Sequence, residues 1–420
     1  FSNPSQVSFL LQGVTTIIGG HCGSSLAPLL YGSLESIRKW VDPNQINVNW
    51  HSVKDFLTTL SLRKLGINFG TLVGHSTIRR ALIGEDMRDL TDNELSVFKN
   101  ILTLSLEEGA LGLSTGLGYA HSNLVPYSEI AVLTKIVSKF GAIYSTHLRN
   151  EEKDLEKSIQ ETISITQENN LNTLISHLRP IKGYEKNIDC ARRMFDMLDK
   201  STHLNFDVFP FEESVVPIYT LLPDWMRRGS LEYMLSKVGK VELPDFDLEN
   251  MTIARAPFNQ YLVGKKLSDY AIEKQLNSKE AMRHLMSETS LRAKIAIKNI
   301  NLNFAEDMVF EARAMLASNS ASRNNNLGSF VEDRSTKTFT RYFELAEKRP
   351  ELTLENTVKK ITSIPAKKIG IKNRGLLREG FFADIVLMRG SKIHHVLVNG
   401  TIAVQDSFLK NTFSGRIIKK

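Results

Sequence analysis

The segments Ile143-Tyr144-Ser145-Thr146-His147-Leu148-Arg149 and Leu174-Ile175-Ser176-His177-Leu178-Arg179 place two histidines thirty residues apart in similar surroundings. Each histidine closes a short apolar run and precedes a helix-like or loop segment, so each is predicted to end a buried strand. Thirty residues fit one strand, one helix and the start of the next parallel strand. Because α/β proteins carry their chemistry at the carboxyl ends of parallel strands, this pair is predicted to lie at a functional site.

The same alternation of apolar runs and helix-like segments continues along the chain. The seven predicted strands cover residues 14–18, 67–73, 110–114, 142–146, 171–176, 204–209 and 312–318. Apolar residues recur at spacings of three and four between them, as amphipathic helices require, in segments 92–107, 128–140 and 154–169. The pattern predicts an α/β fold with a parallel sheet, and seven units suggest a TIM (β/α)8 barrel that lacks its first strand in this chain.

The domain organisation follows from where this alternation is interrupted. More than a hundred residues separate the sixth and seventh predicted strands, which is more than one connection needs. We therefore predict a barrel over residues 1–365 with an inserted subdomain at about residues 210–300. After a helical segment at 354–369, interrupted near Pro365, short alternating strands predict part of a small β-sandwich over residues 366–420.

The composition narrows the class of protein. The chain has 420 residues, two cysteines, and no run of about eighteen apolar residues that could cross a bilayer. Its net charge of +7 is spread along the chain, which mildly favours an anionic substrate and gives no support for nucleic-acid binding. We expect a cytoplasmic enzyme without a membrane or nucleic-acid partner. The chain begins at Phe1 without a signal-peptide pattern, and we expect that an N-terminal part precedes it.

Cys22 follows the first predicted strand, as His147 and His177 follow the fourth and fifth. A thiolate and two imidazoles suit zinc, and catalytic zinc sites typically keep three protein ligands so that water can take the fourth position. These three side chains are therefore predicted to bind one ion. Each also has an ordinary alternative, since a lone buried histidine is usually a hydrogen-bonded core residue and a lone cysteine a small hydrophobic one.

Several further phrases, in order along almost the whole chain, resemble the N-acyl-D-amino-acid deacylases (D-aminoacylases) of the amidohydrolase superfamily. Besides the two histidine segments, the matching phrases are residues 13–28 (GVTTIIGGHCGSSLAP), 72–75 (LVGH), 108–117 (EGALGLSTGL), 207–211 (DVFPF) and 374–384 (RGLLREGFFAD). The resemblance implies a TIM barrel with a small β-sandwich, one or two zinc ions, and hydrolysis of the amide that joins an acyl group to a D-amino acid.

The resemblance also implies roles for individual residues. Cys22, His147 and His177 would be metal ligands. Tyr119, Arg179 and Arg334 would hold the carboxylate of a small acylated amino acid, with Arg179 in place of the family's lysine. Because the arginine head group is longer and planar, this replacement could change the size or register of the substrate.

Two departures from the family pattern concern the catalytic site. The family has Gly-Ser-Asp-Gly at the end of the last barrel strand, where this chain has Ala317-Ser318-Asn319-Ser320. The aspartate moves a proton from the attacking water to the leaving amine, which a carboxamide cannot do, and such acid–base catalysis is worth about 10²–10⁴-fold. The family's His-x-His metal pair would precede Phe1. Two alternatives therefore stay open: an amidohydrolase acting on cyclic amides or other acylated amines, and a catalytically degenerate substrate-binding homologue.

Overall fold

Strands and helices alternate through most of the chain in a computed structural model that describes residues 3–31, 34–40, 46–322 and 330–420. The strands are β1 (Thr16–Gly19), β2 (Asn68–Thr71), β3 (Val73–Gly74), β4 (Gly112–Gly116), β5 (Ile143–His147), β6 (Asn172–Ile175), β7 (Leu204–Val208), β8 (Ser214–Pro217), β9 (Met251–Arg255), β10 (Lys294–Ile297), β11 (Ala314–Leu316), β12 (Ile385–Arg389), β13 (Lys392–Val398), β14 (Thr401–Gln405) and β15 (Phe408–Leu409).

The α-helices are α1 (Val7–Leu10), α2 (Val53–Ser61), α3 (His75–Ile83), α4 (Asp92–Glu107), α5 (Tyr127–Lys139), α6 (Leu155–Glu168), α7 (Glu185–Asp196), α8 (Asp224–Arg227), α9 (Leu231–Lys237), α10 (Leu267–Lys274), α11 (Ser278–Glu288), α12 (Leu302–Met308), α13 (Asp333–Glu347), α14 (Leu354–Lys359) and α15 (Ser363–Ile369). Across the described ranges, none of these helices combines the length and the apolar character that a membrane crossing needs.

Parallel pairing joins the strands that the sequence predicts. β1 pairs with β2, and β3 to β7 pair in chain order with β11 beside β7, all in parallel. β2 and β3 are two halves of one predicted strand, interrupted at Leu72. The seven predicted strands are therefore confirmed, with β1 and β11 at the free edges. Closure into an eight-stranded barrel and the existence of an earlier strand stay predictions.

The three helices predicted from the spacing of apolar residues are present as α4, α5 and α6. α4 has the predicted bounds and begins with a capping box, in which Glu94 N–H donates to Thr91 Oγ1 (3.3 Å) and Thr91 N–H donates to Glu94 Oε2 (2.8 Å). The apolar face of α6 packs Leu155 and Ile159 into one cluster with Phe206 of β7. The chain thus covers the parallel sheet with amphipathic helices.

The segment between β7 and β11 has a different architecture. β8, β10 and β9 form an antiparallel three-stranded sheet, with β10 in the middle. Its apolar side chains, among them Met226, Ile253, Tyr270 and Ile295, share one cluster that also contains Cys22. This segment therefore packs against the strand end that carries Cys22. The limits of the predicted insertion, and those of the two domains, stay predictions.

The C-terminal strands β12 to β15 form an antiparallel sheet in chain order. The helical break lies between α14 and α15, and Pro365 itself sits in the first turn of α15, where a missing N–H costs little. A buried polar network ties the sheet to β2: Asn68 donates through Nδ2 to Asp384 (3.0 Å), and Arg374 pairs with the same carboxylate. The Arg374 and Asp384 side chains are each only 7% exposed, so the buried charge of each is stabilised by the opposite charge of the other.

We expect Asp384→Ala to lower the free energy of unfolding by about 3 kcal/mol, because it leaves the buried Arg374 guanidinium without its carboxylate. Urea unfolding measures the effect. The control is Glu273→Ala, which removes an exposed ion pair with Lys265 and should change stability by no more than about 1 kcal/mol. Equal losses in the two variants would show that the network does not tie the sheet to the rest of the fold.

Candidate metal centre

Cys22, His147 and His177 meet at one edge of the parallel sheet. All three side chains are buried, and one potential ligand atom from each lies within 4.8 Å of the others. His177 Nε2 is 3.4 Å from Cys22 Sγ and 2.8 Å from His147 Nδ1. The structure therefore brings together the three residues for which the sequence predicts metal binding.

The strand register explains this convergence. His147, the last residue of β5, lies opposite Gly116 of β4, while Cys22 and His177 come just after β1 and β6. Both Cys22 (φ 55°) and His177 (φ 41°) have a left-handed backbone, as does Asn319 (φ 45°) after β11. Such conformations are uncommon in residues other than glycine and concentrate at functional sites.

Glycines allow the Cys22 loop to lie against the end of β4. A Cβ atom on Gly116 would come within 2.3 Å of the Cys22 carbonyl oxygen, and one on Gly23, at φ 74°, within 2.8 Å of the Gly116 nitrogen. The Gly23 N–H also donates to Ser114 Oγ (3.1 Å). The glycines in residues 109–118 thus serve close backbone packing at a strand end.

Glu151 connects the two histidines to Arg179. His177 Nδ1–H donates to Glu151 Oε1 (3.2 Å), and His147 Nε2 lies 3.7 Å from Glu151 Oε2. Arg179 donates from Nε to Glu151 Oε1 (3.2 Å) and also pairs with Oε2 through its terminal nitrogen. A carboxylate in this position fixes the ring orientation of His177 and leaves Nε2 facing Cys22.

Burial and neighbouring charges at this edge shift the pKa values of the two histidines in opposite directions. Burial holds the pKa of His147 well below its ordinary value. Burial also disfavours charged His177, but the negative charges of Cys22 and Glu151 outweigh it and raise that pKa to about 10. For Glu151, burial opposes ionisation, yet Arg179 and the two histidines hold its pKa well below the usual range. Glu151 is therefore an anion, and a metal ion competes with a proton for His177.

Asp207 holds the His177 backbone, and His21 lies near His177 on the loop that carries Cys22. The His177 backbone N–H donates to Asp207 Oδ1 (2.8 Å), and burial raises the pKa of this aspartate to about 6. His21 lies beside Ser145 (3.1 Å), and burial together with the charge of His177 lowers its pKa to about 4. The contact between His21 and Ser145 thus also positions the loop that carries Cys22.

The residues expected to hold the substrate take three different positions. The Tyr119 ring stacks on His147 with 4.3 Å between centroids, so it borders the cluster directly. Arg179 is engaged with Glu151. Arg334 donates to Glu332 (2.5 Å) and lies 5.0 Å over the Phe209 ring. Their roles toward a substrate stay predictions.

Asn319 is exposed, three residues beyond β11. The adjoining Ser320 hydroxyl donates to Glu332 Oε2 (3.3 Å), the carboxylate that also binds Arg334. Asn319 therefore follows the end of β11, and the next residue contacts a carboxylate that is paired with an arginine. That Asn319 takes the place of the family's aspartate stays a prediction. Its catalytic consequence stays a prediction.

The sequence did not single out Glu151, Asp207 or Glu332. Glu151 begins a charged stretch, residues 151–154 (EEKD), that reads as a solvated loop, although the Glu151 side chain is only 9% exposed. The available signal was its position four residues after His147 and two residues beyond the phrase that ends at Arg149. A carboxylate just beyond a ligand histidine is a common orienting partner.

Comparisons with known proteins show which proteins the chain resembles. The model of the Amidohydrolase family matches residues 249–403. An N-acyl-D-aspartate deacylase from Alcaligenes xylosoxydans xylosoxydans is 26% identical over 390 residues, which are 92% of this chain and 72% of that protein.

Two solved structures have the same fold over 99% of this chain and 85% of theirs. An N-acyl-D-glutamate deacylase from Bordetella bronchiseptica, complexed with zinc and a phosphonate mimic of the tetrahedral intermediate, has a TM-score of 0.79 at 20% identity. A D-aminoacylase whose binuclear metal centre was studied has a TM-score of 0.78 at 21% identity.

The Amidohydrolase family model matches part of the chain, and the chain's curated relatives include an N-acyl-D-aspartate deacylase and a D-aminoacylase. These similarities confirm the resemblance to the N-acyl-D-amino-acid deacylases that the sequence phrases showed.

We expect Glu151→Gln to weaken zinc binding about 10–100-fold, because the neutral amide no longer attracts the His177 N–H as a carboxylate does. Competition with a chromogenic chelator measures the affinity. Glu152→Gln is the matched control, since Glu152 is the exposed neighbour and should bind zinc as the parent does. Unchanged affinity in Glu151→Gln would contradict the orienting role.

Proposed function

We propose that this protein hydrolyses the amide bond of N-acyl-D-amino acids with zinc bound by Cys22, His147 and His177. The observation that carries the proposal is the convergence of these three side chains at the carboxyl edge of the sheet. Similarity to an N-acyl-D-aspartate deacylase and a D-aminoacylase supports the substrate class. Both cysteines, Cys22 and Cys190, are free, which agrees with the expected reducing, cytoplasmic location.

The donor set fits zinc. One sulfur and two ring nitrogens within 4.8 Å make a three-ligand set of the kind that catalytic zinc sites use. Zinc would lower the pKa of a water molecule to about 7 and polarise the amide carbonyl. One ion is accounted for by these three residues, and a second would need additional ligands.

The other residues of the site would hold the substrate. The Tyr119 ring stacks on His147, and it would confine a ligand beside the cluster. We assign the substrate carboxylate to Tyr119, Arg179 and Arg334. Arg179 reaches the cluster through Glu151, so a substrate carboxylate would share its guanidinium with that residue.

Proton transfer to the leaving amine is the step for which the chain is least equipped. Asn319 has no titratable proton at ordinary pH, and Glu332 nearby is paired with Arg334. This observation favours a second candidate function, a homologue that binds acylated amino acids but turns them over slowly or not at all.

The test uses the purified full-length protein. We expect bound zinc, and release of D-methionine from N-acetyl-D-methionine but not of L-methionine from the L-isomer. Cys22→Ser should lose most of the zinc and the activity, whereas Cys190→Ser, the chain's other cysteine, should keep both. Absence of zinc and of turnover would refute the proposal, and faster hydrolysis of a cyclic amide such as a hydantoin would replace the linear substrate.

We expect Asn319→Asp to raise kcat at least about tenfold, because one positioned acid–base group is worth that or more. The initial rate of D-methionine release measures the change. Asn319→Leu serves as the control, since it is similar in volume but cannot carry a proton, and it should show no gain. If Asn319→Asp is as slow as the parent, the binding function gains support.

A further inference from the structure

The Tyr119 ring contacts three other side chains at the border of the metal-ligand cluster. It stacks on His147 with 4.3 Å between ring centroids, and the Trp40 ring meets it edge-on with 5.5 Å between centroids. The Lys39 ammonium lies 4.2 Å from the Tyr119 ring centroid. Tyr119 is a buried residue, so these contacts decide how its ring is oriented. The orientation of Tyr119 thus depends on residues about eighty positions earlier in the chain.

The chain around Tyr119 lies directly against the His147 imidazole. A Cβ atom on Gly118 would come within 2.6 Å of His147 Nε2 and 2.9 Å of its Cδ2. The other ring nitrogen, Nδ1, lies 2.8 Å from His177 Nε2, on the side of the metal-ligand cluster. A shift of Tyr119 would therefore displace the ring of a metal ligand.

His147 needs a support other than a hydrogen bond. His177 is oriented by donation from Nδ1–H to Glu151 (3.2 Å), whereas His147 Nε2 lies 3.7 Å from that carboxylate, which is too long for a hydrogen bond. Ligand histidines are normally held by such a bond at the ring nitrogen that does not face the metal. For His147 the stacked Tyr119 ring takes the place of that bond.

The segment of residues 34–40, which carries Lys39, is anchored to the loop of Cys22. The Ser24 hydroxyl donates to the Ser36 carbonyl oxygen (2.9 Å), and both serines are buried. The backbone that precedes Lys39 is therefore fixed relative to one metal ligand. The Lys39 side chain contacts the ring that lies on another.

The Lys39 ammonium has no polar partner of its own. Within the described residues it makes neither a hydrogen bond nor an ion pair, and it lies over the aromatic rings of Trp40 (5.7 Å) and Tyr119 (4.2 Å). A cation over an aromatic ring is attracted by the ring quadrupole, and the attraction grows as water is excluded. The ammonium and the Tyr119 ring therefore stabilise each other.

We propose that Lys39 is a positioning residue of the metal centre: its ammonium fixes the Tyr119 ring and, through this ring, the orientation of the His147 imidazole. The inference rests on the zinc binding that is part of the proposed function. Lys39 itself contacts neither the metal nor the substrate in this role.

A double-mutant cycle on zinc affinity separates positioning from direct repulsion between the ammonium and a zinc ion. Removal of the Lys39 charge relieves this repulsion whether or not the Tyr119 ring is present, so the repulsion cancels when the two backgrounds are compared. Lys39→Met is therefore made in the parent and in Tyr119→Leu, and chelator competition measures the affinities. Burial, followed by the charge of Arg80, lowers the pKa of Lys39 to about 7, so the assay at about pH 6 keeps the ammonium charged.

We expect Lys39→Met to lower zinc affinity at least about threefold more in the parent than in Tyr119→Leu, because a partly desolvated cation–π contact is worth that or more. Lys39→Arg keeps a charge over the ring, so its effects in the two backgrounds should differ by less than about twofold. Lys64→Met is the matched control, since Lys64 is an exposed lysine 5.8 Å from the Phe413 ring centroid, and it should leave zinc affinity unchanged.

Equal effects of Lys39→Met in the two backgrounds would overturn the assignment, and so would a difference for Lys39→Arg as large as that for Lys39→Met. Should Tyr119→Leu fail to fold, Tyr119→Met replaces it, because the flexible methionine side chain fills irregular apolar space. The predicted difference without any turnover of N-acetyl-D-methionine would refute the deacylase function and leave the role of Lys39 intact. Absence of zinc binding to the parent would refute both.

Discussion

Parallel pairing of β4, β5 and β6 is the constraint on which the rest of the molecule depends. It sets Gly116 opposite His147 and Thr146 opposite Ile175, so the residues that end these strands come to one edge. The backbone hydrogen bonds of the ladder fix this alignment. A slip by one residue would turn His147 away from the edge and into the packing between sheet and helices. The meeting of Cys22, His147 and His177 therefore depends on strand register in the first place.

Strand register brings buried imidazoles to this edge beside the guanidinium of Arg179, and burial of their charges is unfavourable without a partner. The Glu151 carboxylate supplies that partner. It faces both imidazoles and the guanidinium of Arg179, so the buried negative charge and the buried positive charges compensate each other. Such a group is stabilising only while complete, because removal of one member leaves the others desolvated. The same argument accounts for Arg179, which donates hydrogen bonds to the Glu151 carboxylate through two of its nitrogens. It also links the position of His177 to a residue that is not itself a ligand.

The chain combines the cluster of Cys22, His147 and His177 with Asn319 at the end of β11 and with several cationic side chains near Tyr119. These features lie on different loops around one sheet edge, as expected where loops vary and the scaffold is fixed. Residues on separate loops around one sheet edge can therefore change independently of one another during evolution.

The sequence by itself determined the seven parallel strands, the helices that cover them and the meeting of Cys22, His147 and His177. Periodicity reveals which face is buried, and parallel strands place their carboxyl ends together, so local pattern was sufficient for these features. Only the tertiary structure revealed Glu151, because a glutamate in a charged loop looks solvated until folding places it against Arg179. It alone also showed that the Lys39 ammonium lies over the Tyr119 ring and that Arg334 is paired with Glu332. Contacts between residues far apart in the chain, and the burial that makes their charges significant, arise only once the chain has packed.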